Sequence, residues 1–151
     1  MFAGKWGYKD YCTSSINITD GNQPFTIFFQ SGYLDRFNVN QGWLASGNSP
    51  SGLWERAKPT LTTLSGEDCN PGVDSEDCGS YAYLTGNLGG SANVDDVDMG
   101  YVKLTSPIIS LDDNQIYSVN LSLWWKNLEG TGTPDDTLFV RFTDSLNTYN
   151  A

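Results

Sequence analysis

The sequence predicts an all-β fold, and three observations along the chain carry that prediction. Apolar and polar residues alternate at a period of two in several short segments, which is typical of strands with one buried face. Residues that favour turns, chiefly Gly, Pro, Asn and Asp, cluster between those segments. Helical spacing nowhere persists beyond a turn or two. We predict an antiparallel β-sandwich of jelly-roll type, and we expect this chain to leave the sandwich incomplete.

The alternation is clearest in segments 24–30, 80–85, 117–125 and 136–143. Because successive side chains of a strand point to opposite faces, every second residue is expected to face a core. In three of these segments the expected inward side chains are Phe25, Ile27, Phe29, Tyr117, Val119, Leu121, Leu123, Trp125, Leu138, Val140 and Phe142. Half-buried antiparallel strands fit this pattern.

The beginning of the chain differs from the rest in composition. Its aromatic residues are followed by a polar stretch, and Asp20–Pro24 resembles a linker. We expect residues 1–22 to be a linker or the tail of a preceding domain, and residues 23–151 to form the sandwich. The alternative is that residues 1–22 supply a first strand of the same sandwich. We also expect the sandwich to be truncated at its carboxyl end.

The net charge of the chain limits the classes of partner that it is expected to bind. Eight basic and 18 acidic side chains give a net charge of −10. Such a charge opposes binding to nucleic acid or to anionic membranes, and it favours divalent cations. No apolar run approaches the ~20 residues that a membrane-spanning helix needs. We therefore expect neither nucleic-acid binding nor membrane insertion.

The chain contains no histidine. This excludes Ser-His-Asp and Cys-His nucleophiles, zinc held by histidine, and an imidazole base. Glycosidase chemistry needs two facing carboxyl groups, and the four glutamates lie in expected loops or at strand ends. We predict that this chain is not an enzyme.

Three cysteines bear on cellular location. Cys69 and Cys78 flank a loop whose Pro71–Gly72 turn could bring its ends together, so we predict a Cys69–Cys78 disulfide. A disulfide implies an oxidising environment, and hence a secreted or cell-surface protein. Two free thiols in a cytosolic protein are the alternative. Cys12 then needs a partner outside the chain.

The segment 84–107 carries the densest group of hard oxygen donors. Asp95, Asp96 and Asp98 follow a glycine-rich turn, with Asn87 and Asn93 nearby. Ca²⁺ takes several oxygen ligands, which a short loop of Asp, Asn and Gly can supply. We predict a Ca²⁺ site at these five residues, with a solvated acidic turn as the alternative. An EF-hand is excluded, because Pro107 stands where its glutamate belongs.

Trp124 falls on the polar face of segment 117–125. An exposed tryptophan on a sheet offers a platform for a sugar ring or for an apolar side chain of a partner. We therefore name Trp124 as the candidate ligand-binding residue. The alternative is that a second sheet layer, or the strands missing from this chain, cover it.

Ordered short motifs resemble a known domain family over residues 25–145. They are Phe29-Gln-Ser-Gly32, Gly42-Trp43, Gly52-Leu-Trp-Glu-Arg56, Tyr81-Ala-Tyr-Leu-Thr-Gly-Asn87, Asp95-Asp-Val-Asp98, Leu104-Thr-Ser-Pro-Ile-Ile-Ser-Leu111, Leu121-Ser-Leu-Trp-Trp125 and Asp136-Thr-Leu-Phe-Val140. In this order they resemble the first two-thirds of a MAM-like jelly-roll domain of secreted bacterial proteins.

The resemblance implies an accessory module of the kind attached to metallopeptidases or surface adhesins, with no peptidase site in this chain. It makes Glu55 a candidate metal ligand, or a carboxylate that supports the metal ligands. The alternative is that Glu55 forms a surface ion pair with Arg56. Gln30 departs from the acidic residue common in the opening strand, which weakens one expected metal ligand. The resemblance also implies strands beyond Ala151, supplied by a longer chain or by a neighbour.

These observations together predict a calcium-stabilised, non-catalytic extracellular module for adhesion or for binding glycans or proteins. One alternative is the ancillary domain of a secreted metallopeptidase. Another is a structural subunit whose open sheet a neighbouring chain completes with its own strand.

Overall fold

The computed structural model describes residues 1–13, 15–17, 21, 24–75, 77–94, 96–126, 136–144 and 146–150. Their regular structure consists of short strands and a single 3₁₀ turn, Ala92–Val94. In chain order the strands are β1 (Phe2–Ala3), β2 (Tyr11–Cys12), β3 (Leu44–Gly47), β4 (Trp54–Ala57), β5 (Thr62–Leu64), β6 (Glu67–Asp68), β7 (Ala82–Thr85), β8 (Gly90–Ser91), β9 (Val102–Thr105), β10 (Arg141–Thr143) and β11 (Thr148–Asn150).

The strands pair into several small sheets. Two-stranded antiparallel sheets join β1 to β2, β3 to β9, β4 to β7 and β10 to β11. In a further sheet β5 pairs antiparallel with β6 and parallel with β8. The prediction of an all-β, mainly antiparallel chain is confirmed at this level. Within the described part of the chain, no helix is long and apolar enough to cross a membrane.

The predicted strand at 80–85 is confirmed as β7. It pairs with β4 so that Arg56 lies opposite Tyr83 and Glu55 opposite Leu84. The Arg56 guanidinium lies over the Tyr81 ring, with Cζ 4.6 Å from the ring centroid. Aromatic and long side chains that face each other in this way stabilise antiparallel pairs.

The predicted strand at 136–143 is confirmed only at its end, as β10. The turn to β11 is held by Asp144, whose Oδ1 accepts the backbone N–H groups of Leu146 (2.7 Å) and Asn147 (2.6 Å). These two bonds favour the ionised form and lower the pKa of the Asp144 carboxyl. An aspartate in this position forms the turn by supplying acceptors for backbone donors.

Two expected strands, 24–30 and 117–125, are not formed among the described residues. Segment 24–30 still makes apolar contacts, because the Phe25 ring lies 6.4 Å from Tyr11 and the Phe29 ring 6.1 Å from Tyr8. Alternation alone predicts which side chains share a face, whereas a strand also requires a neighbour that supplies backbone hydrogen bonds.

Five aromatic rings, which we call the aromatic cluster, pack together near β7. Edge-to-face contacts join Trp6 to Tyr33 (5.2 Å between centroids), Trp6 to Trp43 (6.1 Å), Phe37 to Trp43 (5.4 Å) and Phe37 to Tyr83 (5.2 Å). Such pairs contribute about 0.5–1.5 kcal/mol each beyond the area that they bury. The cluster joins residues that are distant in sequence.

Residues 1–13 are attached to later parts of the chain. The Arg36 guanidinium donates to Asp10 Oδ1 (2.6 Å), and the backbone N–H of Arg36 donates to Asp10 Oδ2 (3.1 Å). The indole Nε1 of Trp6 donates to the carbonyl of Ile108 (2.6 Å). These contacts show where the amino-terminal segment lies, while the division of the chain at residue 22 stays a prediction.

The predicted Cys69–Cys78 disulfide is wrong. Cys78 is bonded to Cys12, and Cys69 is a free, buried thiol. The physical reason lies in two local structures. Cys69 directly follows β6 and is buried, and its N–H donates to the carbonyl of Thr62 on β5 (2.8 Å). The amide of Asn38 donates to the Cys78 carbonyl (2.7 Å) and so holds that residue elsewhere.

We predict that peptide mapping of the oxidised protein under non-reducing conditions recovers Cys12 joined to Cys78. The double substitution Cys12→Ser, Cys78→Ser should lower the free energy of unfolding by about 4 kcal/mol, because the bond joins residues 66 apart in sequence. Cys69→Ser, which removes no disulfide, is the control and should lower the free energy of unfolding much less. Recovery of a Cys69–Cys78 peptide would contradict this pairing.

Candidate functional site

One carboxyl group lies within the aromatic cluster. Asp35 Oδ1 accepts the backbone N–H of Phe37 (2.8 Å), and Asp35 Oδ2 accepts the indole N–H of Trp43 (2.9 Å). Burial raises the pKa of this carboxyl above its ordinary value of 3.8, and the two hydrogen bonds oppose the rise. Because both oxygens already have donors, Asp35 is suited to orienting its neighbours rather than to accepting a substrate proton.

We predict that Trp43→Phe raises the pKa of Asp35 further, because it removes a donor that favours the ionised form. When folding raises the pKa of a carboxyl above 3.8, the folded chain binds the proton more tightly than the unfolded chain does. The free energy of unfolding therefore falls as the pH rises from 3.8 through the folded-state pKa. That loss should be larger in the variant. Carboxyl titration by NMR and melting at a series of pH values measure both effects.

Trp124→Phe is the matched control for this prediction, since Trp124 makes no described contact with Asp35. It should leave the Asp35 titration unchanged. An unchanged Asp35 pKa in Trp43→Phe would show that the indole hydrogen bond has no electrostatic role.

The predicted calcium loop packs against residues 48–52. The Ser51 hydroxyl donates to the carbonyl of Asp96 (2.6 Å), and the Ser49 hydroxyl donates to the carbonyl of Asp98 (2.8 Å). Gly52 approaches the same loop so closely that an added Cβ would lie 2.6 Å from the Asp96 carbonyl carbon. Asp95 lies outside the described residues. The loop is therefore positioned through its backbone.

The asparagines expected to assist the metal lie apart from this arrangement. Asn87 Oδ1 accepts the N–H of Thr60 (2.8 Å), and Asn87 Nδ2 donates to the carbonyl of Lys58 (2.9 Å), so its amide holds the 58–60 turn. Asn93 is exposed on the 3₁₀ turn. Over the described ranges, no three His, Cys, Asp or Glu side chains gather closely enough to hold a metal ion. Calcium binding stays a prediction.

We predict that millimolar CaCl₂ raises the melting temperature relative to EDTA, and that Asp96→Ala removes most of this increase. A cation that binds only the folded chain adds about 2.7 kcal/mol at a hundredfold excess over Kd. Asp113→Ala, in another acidic turn, is the control. Identical midpoints in CaCl₂ and EDTA, or an increase that survives Asp96→Ala, would contradict a site at this loop.

Glu55 and Arg56 do not form the surface ion pair that was the alternative for them. Arg56 donates instead to the carbonyl of Phe37 (2.8 Å), besides lying over the Tyr81 ring. Glu55 is exposed on β4. In the part of the chain that the structure describes, the ion pair present is Asp10–Arg36. A metal role for Glu55 stays a prediction.

The segment 117–125, which we call the apolar segment, lies on the surface. Its five alternating apolar side chains are each between 43% and 58% exposed, and Trp124 is 53% exposed. No described backbone hydrogen bond joins this segment to a neighbouring strand. Trp124 is thus accessible, as a ligand platform requires, and no described side chain makes a ring contact with it.

A cavity of about 340 Å³ lies between the Lys58–Pro59 turn and the loop 72–80. Asn70 fixes one end of the loop, because its Oδ1 accepts the N–H of Gly72 (2.9 Å). Asn38 fixes the other end, because its Oδ1 accepts the N–H of Ser80 (3.1 Å). Gly72 has φ +64°, and an added Cβ would lie 2.9 Å from Leu61 Cβ, so glycine is needed there.

Sequence reasoning missed Asp74, which lines this cavity. Its Oδ1 accepts the N–H of Ser75 (2.8 Å), whereas its Oδ2 is buried without a described hydrogen-bond partner. Burial raises the pKa of the Asp74 carboxyl, and the negative charge of Asp77 adds to the rise. The only signal in the sequence was an aspartate next to a Pro-Gly turn, which many surface loops share.

Comparison of the chain with protein-family models, with curated proteins and with solved structures gives no match.

Proposed function

We propose that this chain is a non-catalytic extracellular β module that adheres to other proteins through its apolar segment. The observation that carries the proposal is the exposure of five apolar side chains that alternate along the sequence, namely Tyr117, Val119, Leu121, Leu123 and Trp125. Exposed apolar surface of this regularity marks interaction sites, because leaving it in water is unfavourable. The occupant that we propose is an extended strand of a neighbouring domain or subunit.

A strand fits this surface better than a compact ligand does. At about 3.3 Å per residue, the apolar segment is on the order of 30 Å long, which matches an extended polypeptide. Its backbone N–H and C=O groups have no described partners in a sheet. A partner strand would supply those hydrogen bonds, and its alternate side chains would meet the five apolar ones.

An extracellular location is supported by the Cys12–Cys78 disulfide, since such bonds persist in oxidising compartments. The jelly-roll order of strands, the MAM-like family and the secreted bacterial origin belong to the same proposal. On this proposal the small sheets of the described residues become parts of a larger sandwich when the partner strand is present.

The proposal has two forms, which differ in the polypeptide that supplies the partner strand. In an ancillary domain of a secreted metallopeptidase, the strand belongs to another part of the same polypeptide. In a structural subunit, a neighbouring chain donates it. Both use the apolar segment in the same way, and the sequences flanking these 151 residues in the gene distinguish them.

We predict that backbone amides 117–125 exchange rapidly with D₂O in the isolated chain and slowly in the intact native polypeptide or assembly. Hydrogen-exchange mass spectrometry of both preparations measures this. Leu121→Lys should abolish the protection in the intact form, because it places a charge on the face that the partner strand covers.

Asn120→Lys is the matched control, since it adds the same charge to the polar face and should leave the protection largely unchanged. Near-UV circular dichroism verifies that both variants keep the aromatic cluster. Equal protection of amides 117–125 in the isolated and intact forms would mean that the segment is satisfied within this chain, and the proposal would then be wrong.

A further inference from the structure

The apolar segment is complementary in sequence to a second copy of itself. Two copies can run antiparallel with Leu121 of one opposite Leu121 of the other. In that register Tyr117 faces Trp125. Val119 faces Leu123, and each of these pairs occurs twice because the arrangement has two-fold symmetry. All five apolar side chains of each copy therefore meet an apolar partner.

The register centred on Leu121 is the one that pairs the whole segment. Sliding one copy by two residues in either direction leaves one aromatic residue of each copy without an apolar partner, for example Trp125 opposite Gln115. Sliding it by one residue sets apolar side chains opposite polar ones, because the side chains of a strand alternate between its faces. A strand of an unrelated chain would require no such symmetry in this one.

The polar side chains of the segment match in the same register. Asn120 lies opposite Ser122, so that an amide and a hydroxyl can share hydrogen bonds, and Ser118 lies opposite Trp124. All four residues are exposed in the described structure. The pairing therefore leaves no polar side chain facing an apolar core.

The charges around the segment favour the antiparallel direction. Residues 114–125 carry no charge, and Lys126 follows directly after them. In the antiparallel pair Lys126 faces Ile116 of the other copy, whereas a parallel pair in register would set Lys126 against Lys126 and Asp113 against Asp113. Like charges directly opposite each other destabilise a strand pair.

The segment is accessible to a second copy along its whole length. Every residue from 117 to 125 is exposed. The Tyr117 hydroxyl accepts the backbone N–H of Asp112 (2.8 Å), while 43% of the Tyr117 side chain stays exposed. Covering the five half-exposed apolar side chains of both copies would bury on the order of 1,000 Å², which is the lower limit for a specific interface. We therefore expect a weak, reversible dimer, and a monomer in dilute solution.

We propose that the apolar segment pairs with the apolar segment of a second copy of this chain, in an antiparallel β ladder centred on Leu121. The proposal rests on the function proposed above, because it identifies the strand that covers this segment. The net charge of −10 on each copy opposes association at long range. Salt screens that repulsion, so NaCl should strengthen the dimer.

Sedimentation equilibrium of the disulfide-bonded chain, from low micromolar to near-millimolar concentration, tests the proposal. We expect the mean mass to rise from that of the monomer to that of the dimer, and to do so at lower concentration in high NaCl. Leu121→Lys and Leu121→Glu should each weaken dimerisation about tenfold or more, because each sets like charges against each other at the two-fold axis. An equimolar mixture of the two variants should dimerise again, because lysine then faces glutamate.

Asn120→Lys, which adds a charge to the polar face, is the matched control and should dimerise as the unaltered chain does. Near-UV circular dichroism verifies that each variant is folded. Hydrogen exchange of the unaltered chain needs no variant, and amides 117–125 should gain protection as the concentration rises.

A chain that stays monomeric at every concentration would overturn the self-pairing. So would dimerisation that Leu121→Lys leaves unchanged, a mixture of the two variants that stays monomeric, or a mass that grows beyond the dimer, because a two-fold contact is closed. The function proposed above has a separate test. If the isolated chain never dimerises but amides 117–125 are protected in the intact native polypeptide, the partner strand belongs to a different sequence and only the self-pairing is wrong.

Discussion

The hydrogen bonds around Asp35 constrain much of the described structure. Two donors fix the carboxylate, one from the backbone of Phe37 and one from the indole of Trp43. Together they set a tight turn in which Phe37 adopts φ 59°, a conformation that non-glycine residues seldom take. The Asp35 carboxylate thus holds two neighbouring rings of the aromatic cluster, Phe37 and Trp43, which meet edge to face.

The residues after Asp35 connect this turn to three separate parts of the chain. Arg36 bonds to Asp10 in the amino-terminal segment, the carbonyl of Phe37 accepts from Arg56 on β4, and Asn38 holds loop 72–80. Each bond is worth on the order of 1 kcal/mol, or more where a charge takes part. The disulfide between Cys12 and Cys78 then joins the amino-terminal segment to loop 72–80 covalently. Segment 35–38 has no regular secondary structure, yet it organises the elements that do.

The cavity beside Asp74 and the apolar segment differ in how far they depend on these contacts. The loop that ends at Ser80 is tied to Asn38 and to the disulfide, so the cavity beside it is a consequence of the tertiary contacts. The apolar segment is tied differently: the Tyr117 hydroxyl accepts the backbone N–H of Asp112 (2.8 Å), and Lys126, just beyond the segment, donates to the carbonyl of Asp68 (2.7 Å). No described backbone N–H or C=O group of residues 117–125 takes part in a sheet, so these groups are available to pair with an incoming strand.

The sequence by itself determined that the chain is all-β, that no reaction can use a histidine, and where β7 lies, because these follow from composition and from a period of two. Tertiary structure alone decided the rest. Cys69 and Cys78 are close in sequence, but Cys69 is buried beside β5, Asn38 holds Cys78 elsewhere, and Cys12 is the partner of Cys78. Asp74 and Lys58 are 16 positions apart in the sequence, and only the folding of loop 72–80 places them on one cavity. Local sequence patterns specify local conformation. Pairings between distant residues depend instead on which hydrogen-bonding groups and side chains the rest of the folded chain brings close together.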